Sequence, residues 1–148
     1  MDRRDLGLVS ISITETIKAS DEKVFSFISD FENAPKYSSY WKSVKPVKRE
    51  GNSVTYETMA EAEGRKISSI TRITARPNER LDTETIEGDG KGTKMSFILS
   101  SVPEGTQLTL QGEMVLPGFA KMLGGIVKGR IEAGMRSELG IIKKTLEH

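Results

Sequence analysis

The side chains that could do chemistry in this chain are bounded first by two absences. There is no cysteine, and the single histidine is the last residue, His148. A thiolate nucleophile, a disulfide, a zinc site of the usual kind and a histidine-based triad are therefore excluded. Leu146-Glu147-His148 reads as the beginning of an affinity tag over residues 146–148, which leaves residues 1–145 as one domain. No metal and no cofactor is expected, and no catalytic residue is assigned. Any catalysis would rest on carboxylates, tyrosine, lysine or backbone groups.

Several groups of that kind stand out. Glu15 interrupts the apolar face of the first alternating segment. A buried carboxylate needs a partner or a raised pKa, so acid–base chemistry follows if Glu15 is buried. A position near a strand end, in contact with solvent or an arginine, explains it without chemistry. Arg72 and Glu113 alternate with apolar positions and should point outward. Tyr37, Tyr40 and Trp41 form an aromatic cluster suited to a site with one wet and one apolar side. A loop anchored by one buried aromatic is the plainer explanation. Gly88-Asp89-Gly90-Lys91-Gly92 has the composition of a phosphate loop but lacks the GxxxxGK[ST] spacing and opens no helix, so it reads as a hairpin turn.

The elements that would position these residues follow from periodicity. Val9, Ile11, Ile13 and Ile17 alternate with Ser10, Ser12, Thr14 and Thr16, a strand with one buried face. Ser20-Asp21-Glu22 caps a short helix whose stripe is Val24, Phe27, Ile28 and Phe31. Asn33-Ala34-Pro35 ends or restarts it. Six strands follow, over about 44–49, 54–60, 67–73, 81–87, 93–99 and 108–116, separated by short turns rich in glycine, proline and asparagine. Pro46 suggests an edge or a bulge, Gly112 a bend or a close backbone approach. Lys42, Lys45 and Lys48 mark a charged edge.

A long helix is predicted from about Phe119 to Leu146. Its apolar positions are Phe119, Leu123, Ile126, Val127, Met135, Leu139, Ile142 and Leu146, mostly at helical steps. The stretch also holds glycines at 124, 125, 129, 134 and 140, each costing about 0.5–1 kcal/mol against alanine in a helix interior. Close approach to a curved sheet would repay that cost, and so would empty volume beneath the helix.

The order strand, short helix, six strands, long helix resembles the helix-grip fold of the START-domain superfamily, which includes the polyketide cyclase/dehydrase and lipid-transport families. The resemblance spans almost the whole chain. It is carried by Ile17-Lys18-Ala19-Ser20-Asp21-Glu22-Lys23-Val24-Phe25, then by Ile28-Ser29-Asp30-Phe31-Glu32-Asn33-Ala34-Pro35-Lys36-Tyr37 and Trp41. The stretch 30–44 is more weakly similar to the coenzyme-Q-binding branch. The resemblance implies an α+β fold in which a seven-stranded curved antiparallel sheet wraps the C-terminal helix. It also implies a cavity between them for an apolar ligand such as a lipid, quinone, sterol or polyketide. The family has no universal catalytic motif to carry over.

The positions expected to contact such a ligand are Tyr37, Tyr40, Trp41, Tyr56, Thr58, Ser69, Thr71, Met95, Phe97, Leu110, Met114, Leu123, Val127 and Met135, of which packing alone accounts for many. Binding, with possible transport, of a hydrophobic small molecule is the first expectation. An aromatase/cyclase-type enzyme using Tyr56 or Glu15 is the second. A protein-interaction or chaperone-cofactor module is the third, and the polar outer positions Lys94, Ser96, Gln107, Thr109 and Gln111 weigh against it. The formal charge of +1 gives no basic excess for nucleic acid. No run is long enough to cross a bilayer, and a cytoplasmic monomer is expected.

Overall fold

Residues that alternate between apolar and polar fold as strands with one buried face, and tight turns between them fix the register. The computed structural model describes residues 8–62, 64–116 and 125–147. Strand β1 (Leu8–Ile17) leads to α1 (Asp21–Ser29), a 3₁₀ turn (Phe31–Asn33) and the one-turn helix α2 (Ala34–Tyr37). Then come β2 (Trp41–Glu50), β3 (Ser53–Ala62), β4 (Arg65–Arg76), β5 (Arg80–Gly88), β6 (Lys94–Val102), β7 (Gly105–Val115) and the long helix α3 (Gly125–Leu146). The strands form one curved antiparallel sheet in the order β1-β7-β6-β5-β4-β3-β2. This is the helix-grip α+β arrangement.

Because β1 and β2 are opposite edges, α1 and α2 carry the chain from one edge of the sheet to the other. Ser20 caps α1 by accepting the Lys23 N–H at 3.2 Å. Val24, Phe25 and Ile28 turn inward from α1, with Phe27 half-buried. Asn33-Ala34-Pro35 restarts the helix rather than ending it, with proline in the first turn, where it removes no needed hydrogen bond. Strand β2 begins at Trp41, earlier than the expected Val44, which places the tryptophan on the sheet rather than in a loop. Pro46 lies on this edge strand beside a register shift before Lys48. At Gly112, φ is +149° and a Cβ would collide with the Lys94 carbonyl and lie 2.8 Å from the Met95 Cα, so β6 and β7 approach too closely there for a side chain.

The core is densest at one end of the molecule. Ile17, Val24, Ile28, Leu81, Leu108, Leu139 and Ile142 are almost fully buried, and α3 packs chiefly on β1. Thr106, also fully buried, has its hydroxyl 2.8 Å from both the Ala19 carbonyl and an Asp21 carboxylate oxygen. Leu146 is buried, and Glu147 accepts the Lys18 N–H at 2.9 Å and pairs with Lys143 at 2.6 Å. These contacts tie the last turn of α3 to β1.

Ile126, expected on the buried stripe of α3, is 64% exposed. Val127, Ile131 and Met135 fix the inward face, and Ile126 lies one residue, about 100° of helix, away from it. The expected start of the helix near Phe119, with Leu123 and Gly124, lies outside the described residues.

Candidate ligand-binding cavity

A helix laid across a curved sheet touches it along one line and leaves space where the sheet bends away. Here that space is a cavity of about 290 Å³, partly open to solvent. Met95 and Phe97 from β6 form its floor with Leu110 and Met114 from β7. Ile67 and Thr71 of β4 and Thr83 and Thr85 of β5 complete that wall, together with Ser96 and Leu116. Helix α3 forms the roof with Val127, Arg130, Ile131, Gly134, Met135 and Glu138. The segment joining α1 to β2 lines one end with Phe31, Tyr37, Ser39 and Tyr40, and β2 adds Trp41 there, with Glu61 of β3 beside it.

The glycines of α3 can now be judged. A Cβ added at Gly129, Gly134 or Gly140 would meet nothing within 4 Å. None of the three therefore serves a close approach to the sheet. At Gly134, which lines the cavity, the missing side chain is cavity volume.

Aromatic rings brace this end. Phe31 lies edge-on to Trp41 with centroids 5.2 Å apart, and to Tyr56 at 5.4 Å. Tyr40 lies edge-on to Trp41 at 4.8 Å, and Phe27 packs on Tyr37 at 5.8 Å. Such edge-on pairs contribute about 0.5–1.5 kcal/mol each beyond their burial. The Glu61 N–H donates to the Tyr40 carbonyl at 3.0 Å, tying this segment to β3.

A polar cluster sits at the same end. The Ser38 hydroxyl donates to Glu138 Oε1 at 2.6 Å and accepts the Tyr40 and Trp41 backbone N–H groups at 3.1 and 3.4 Å. Burial pushes the Glu138 carboxyl up to about 7, against the opposing pull of the Ser38 hydrogen bond. Burial, with the Glu138 charge adding to it, raises the Tyr37 phenol well above its ordinary range. The same two effects, with a smaller one from Asp89, raise Tyr40 to about 12. Both phenols are neutral donors at neutral pH, and Glu138 is poised between its two forms.

The structure sorts the residues expected from sequence. Tyr37, Tyr40, Trp41, Thr71, Met95, Phe97, Leu110, Met114, Val127 and Met135 line the cavity. Leu123 lies outside the described residues. Tyr56 is buried beneath Phe31 and does not reach the cavity. Thr58 donates to the Ser69 carbonyl at 3.1 Å, and the Ser69 hydroxyl donates to the Asp89 carbonyl at 2.6 Å. Those hydroxyls are consumed within the sheet and the β5–β6 turn, and both residues border a second, more open hollow beside Lys45 and Glu87. Glu15 is half-buried, with its carboxylate 3.3 Å from the Thr16 N–H and away from the cavity. Arg72 pairs with Glu84 at 2.8 Å on the exposed face. Among the described residues, no cluster suits a metal ion, and no helix is long and apolar enough to cross a membrane.

Glu138 was missed by the sequence reading. Its signal lay in spacing: Val127, Ile131, Met135, Glu138 and Ile142 recur at steps of four, four, three and four. The carboxylate thus occupies the inward stripe of α3, where an apolar residue is the default.

Known proteins of this architecture are numerous. TTHA0849 from Thermus thermophilus superposes with a TM-score of 0.75 at 23% identity, covering 94% of this chain and 96% of that one. The Zhui aromatase/cyclase from Streptomyces sp. R1128 gives a TM-score of 0.81 at 12% identity, covering 95% and 94%. A START superfamily protein from Mycobacterium smegmatis gives 0.69 at 20% identity, covering 95% and 97%. At these identities the likeness concerns the fold. No curated protein matches the chain. A family defined by sequence, described as "Polyketide cyclase / dehydrase and lipid transport", matches residues 9–147. With residues 9–147 matched, the chain belongs to the polyketide cyclase/dehydrase and lipid-transport family.

Proposed function

We propose that this protein binds a hydrophobic small molecule in the cavity between the sheet and α3. The observation that carries this reading is the cavity itself: about 290 Å³, walled by Met95, Phe97, Leu110, Met114, Val127, Ile131 and Met135, and open on one side. That volume is near the lower end of the about 300–1,000 Å³ usual for small-molecule sites. Burial of the ligand's apolar surface, at about 25 cal/mol per Å², would supply most of the affinity. Trp41, the only tryptophan, lies on the cavity wall and is a built-in reporter. Titration with a planar apolar compound should change its emission saturably, and Met135→Trp, which fills the space, should abolish the change. Unaltered emission and unaltered cavity-residue NMR shifts at saturating ligand would refute the reading.

A second reading is favoured by Glu138. A carboxyl poised near neutrality beside a phenol donor could move a proton on a bound carbonyl compound, as an enzyme of cyclase or dehydratase type requires. Its test is turnover: the rate should follow a single ionisation near pH 7 and be lost in Glu138→Gln. A rate indifferent to that change would exclude Glu138 as the acid–base group.

A further inference from the structure

Helix α3 is held to the fold in two ways. Toward its C-terminus, Leu139, Ile142 and Leu146 are buried, and hydrogen bonds reach Thr16, Lys18 and Lys23. Where it roofs the cavity, Glu138 accepts a hydrogen bond from the Ser38 hydroxyl at 2.6 Å. Ser38 ends α2, with its own N–H bonded to the Ala34 carbonyl at 3.0 Å, and is 6% exposed. A hydroxyl has one proton to give. Spent on Glu138, it leaves the lone pairs to accept the Tyr40 and Trp41 N–H groups, at 3.1 and 3.4 Å. Glu138 therefore orients the hydroxyl around which the chain turns from α2 into β2.

The far side of that turn is fixed to the sheet. The Tyr40 carbonyl accepts the Glu61 N–H at 3.0 Å, and Trp41 pairs with Ala60. The joint left to part is the one between Ser38 and α3. We propose that the Ser38–Glu138 hydrogen bond is a latch between α2 and α3, and that its release opens the end of the cavity lined by Tyr37 and Tyr40. What the open latch would admit rests on the cavity being a ligand site; the latch itself can be read without a ligand.

Opening gives the latch a pH response. Burial is the larger influence on Glu138 and puts its carboxyl near 7, with the Ser38 bond pulling the other way. In the open state, facing water, the carboxyl returns toward the ordinary 4.5. The closed latch thus holds its proton more tightly. Loss of that proton as pH rises favours opening, by about tenfold between pH 6 and pH 8. The titratable groups facing Glu138 are Tyr37 of α2 and Tyr40 after it, and both phenols stay neutral over this range. Glu61 of β3 and Arg130 of α3 line the same cavity, and Asp89 of the β5–β6 turn acts on Tyr40.

The experiment is amide hydrogen exchange on the full chain, without ligand, at pH 6 and pH 8, corrected for the intrinsic rate at each pH. The Tyr40 and Trp41 amides should exchange through a local opening that low denaturant leaves unchanged. The Leu139 and Ile142 amides should exchange only on global unfolding, which denaturant speeds. Raising the pH should lower the protection of Tyr40 and Trp41 about tenfold. Glu138→Gln keeps an acceptor for Ser38 and cannot ionise, so protection in that variant should not change with pH. Glu138→Ala removes the acceptor and should cut Tyr40 and Trp41 protection about fivefold at pH 6, the effect of one net hydrogen bond. Unchanged protection in Glu138→Ala would make Ser38 a local cap and overturn the latch. So would Tyr40 and Trp41 amides as sensitive to denaturant as Ile142, or a pH response that survives in Glu138→Gln. A latch that opens in a protein whose Trp41 emission answers no apolar compound would sink the binding reading and leave the latch standing.

Discussion

The two halves of the described α3 do different work. From Leu139 to Leu146 the helix is part of the core. Leu139, Ile142 and Leu146 are buried, the Lys143 ammonium donates to the Thr16 carbonyl at 2.9 Å, and Lys23 donates to the Leu146 carbonyl at 2.9 Å. From Val127 to Glu138 the same helix roofs a cavity. Val127 is buried, Ile131 and Met135 are half-buried, and Gly134 lines the space. One end therefore supplies stability, and the other leaves volume free beneath it. A single helix with one apolar stripe serves both because the sheet curves away beneath it.

Stability measurements can break this comparison. Leu139→Ala or Ile142→Ala should destabilise by about 2–5 kcal/mol, the usual result of emptying a packed core. Met135→Ala, at a half-buried cavity wall, should cost less than about 1 kcal/mol. Chemical denaturation of the three variants decides it, and equal losses would mean that the two halves are packed alike.

Glu138, at the junction, gives the next largest effect. Its carboxyl is near 7 when folded, against the ordinary 4.5. Between those values the folded chain holds a proton that the unfolded chain has released. The group thus favours folding fully below pH 4.5, and that contribution is lost as pH rises through about 7. On the order of 2–3 kcal/mol is involved. Denaturation of the parent protein at pH 5 and pH 8 should show this loss, and Glu138→Gln should not. Parallel behaviour of the two would place Glu138 in water.

Smaller effects sharpen the contrast. Gly134→Ala should raise stability by about 0.5–1 kcal/mol, because it restores helix propensity and its Cβ meets nothing within 4 Å. A lower melting temperature would show that the helix sits closer to the sheet. Tyr37→Phe should change stability by less than about 0.5 kcal/mol, since the hydroxyl it deletes has no partner among the described residues. A loss well above that value would reveal a structural hydrogen bond.

Most of this architecture was legible in sequence because hairpins are local. Alternation in Val9 to Ile17 and Met95 to Leu99 gave the buried faces, and Pro46 and Gly112 marked the edge and the close approach. The cavity floor followed from the same period of two. Distinguishing core from cavity along one strand did not. Tyr56 and Thr71 face each other in register between β3 and β4, yet only Thr71 reaches the cavity. The cover over Tyr56 is Phe31, brought there by the 3₁₀ turn after α1, a tertiary contact that no local pattern encodes. Ile126 failed for a different reason: two adjacent apolar residues on a helix leave the facing one undetermined until the rest of the stripe is fixed. Glu138 was within reach of the periodicity, but attention to apolar positions alone passes over a carboxylate set among them.

The central claim is that the space beneath the first half of α3 is a site and the second half is core. An amide and methyl NMR titration with a planar apolar ligand tests it most directly. Saturable shifts at Met95, Phe97, Val127 and Met135, with Leu139 and Ile142 unmoved, are the predicted result. Shifts confined to the exposed outer face of the sheet, or none at saturating ligand, would contradict the claim.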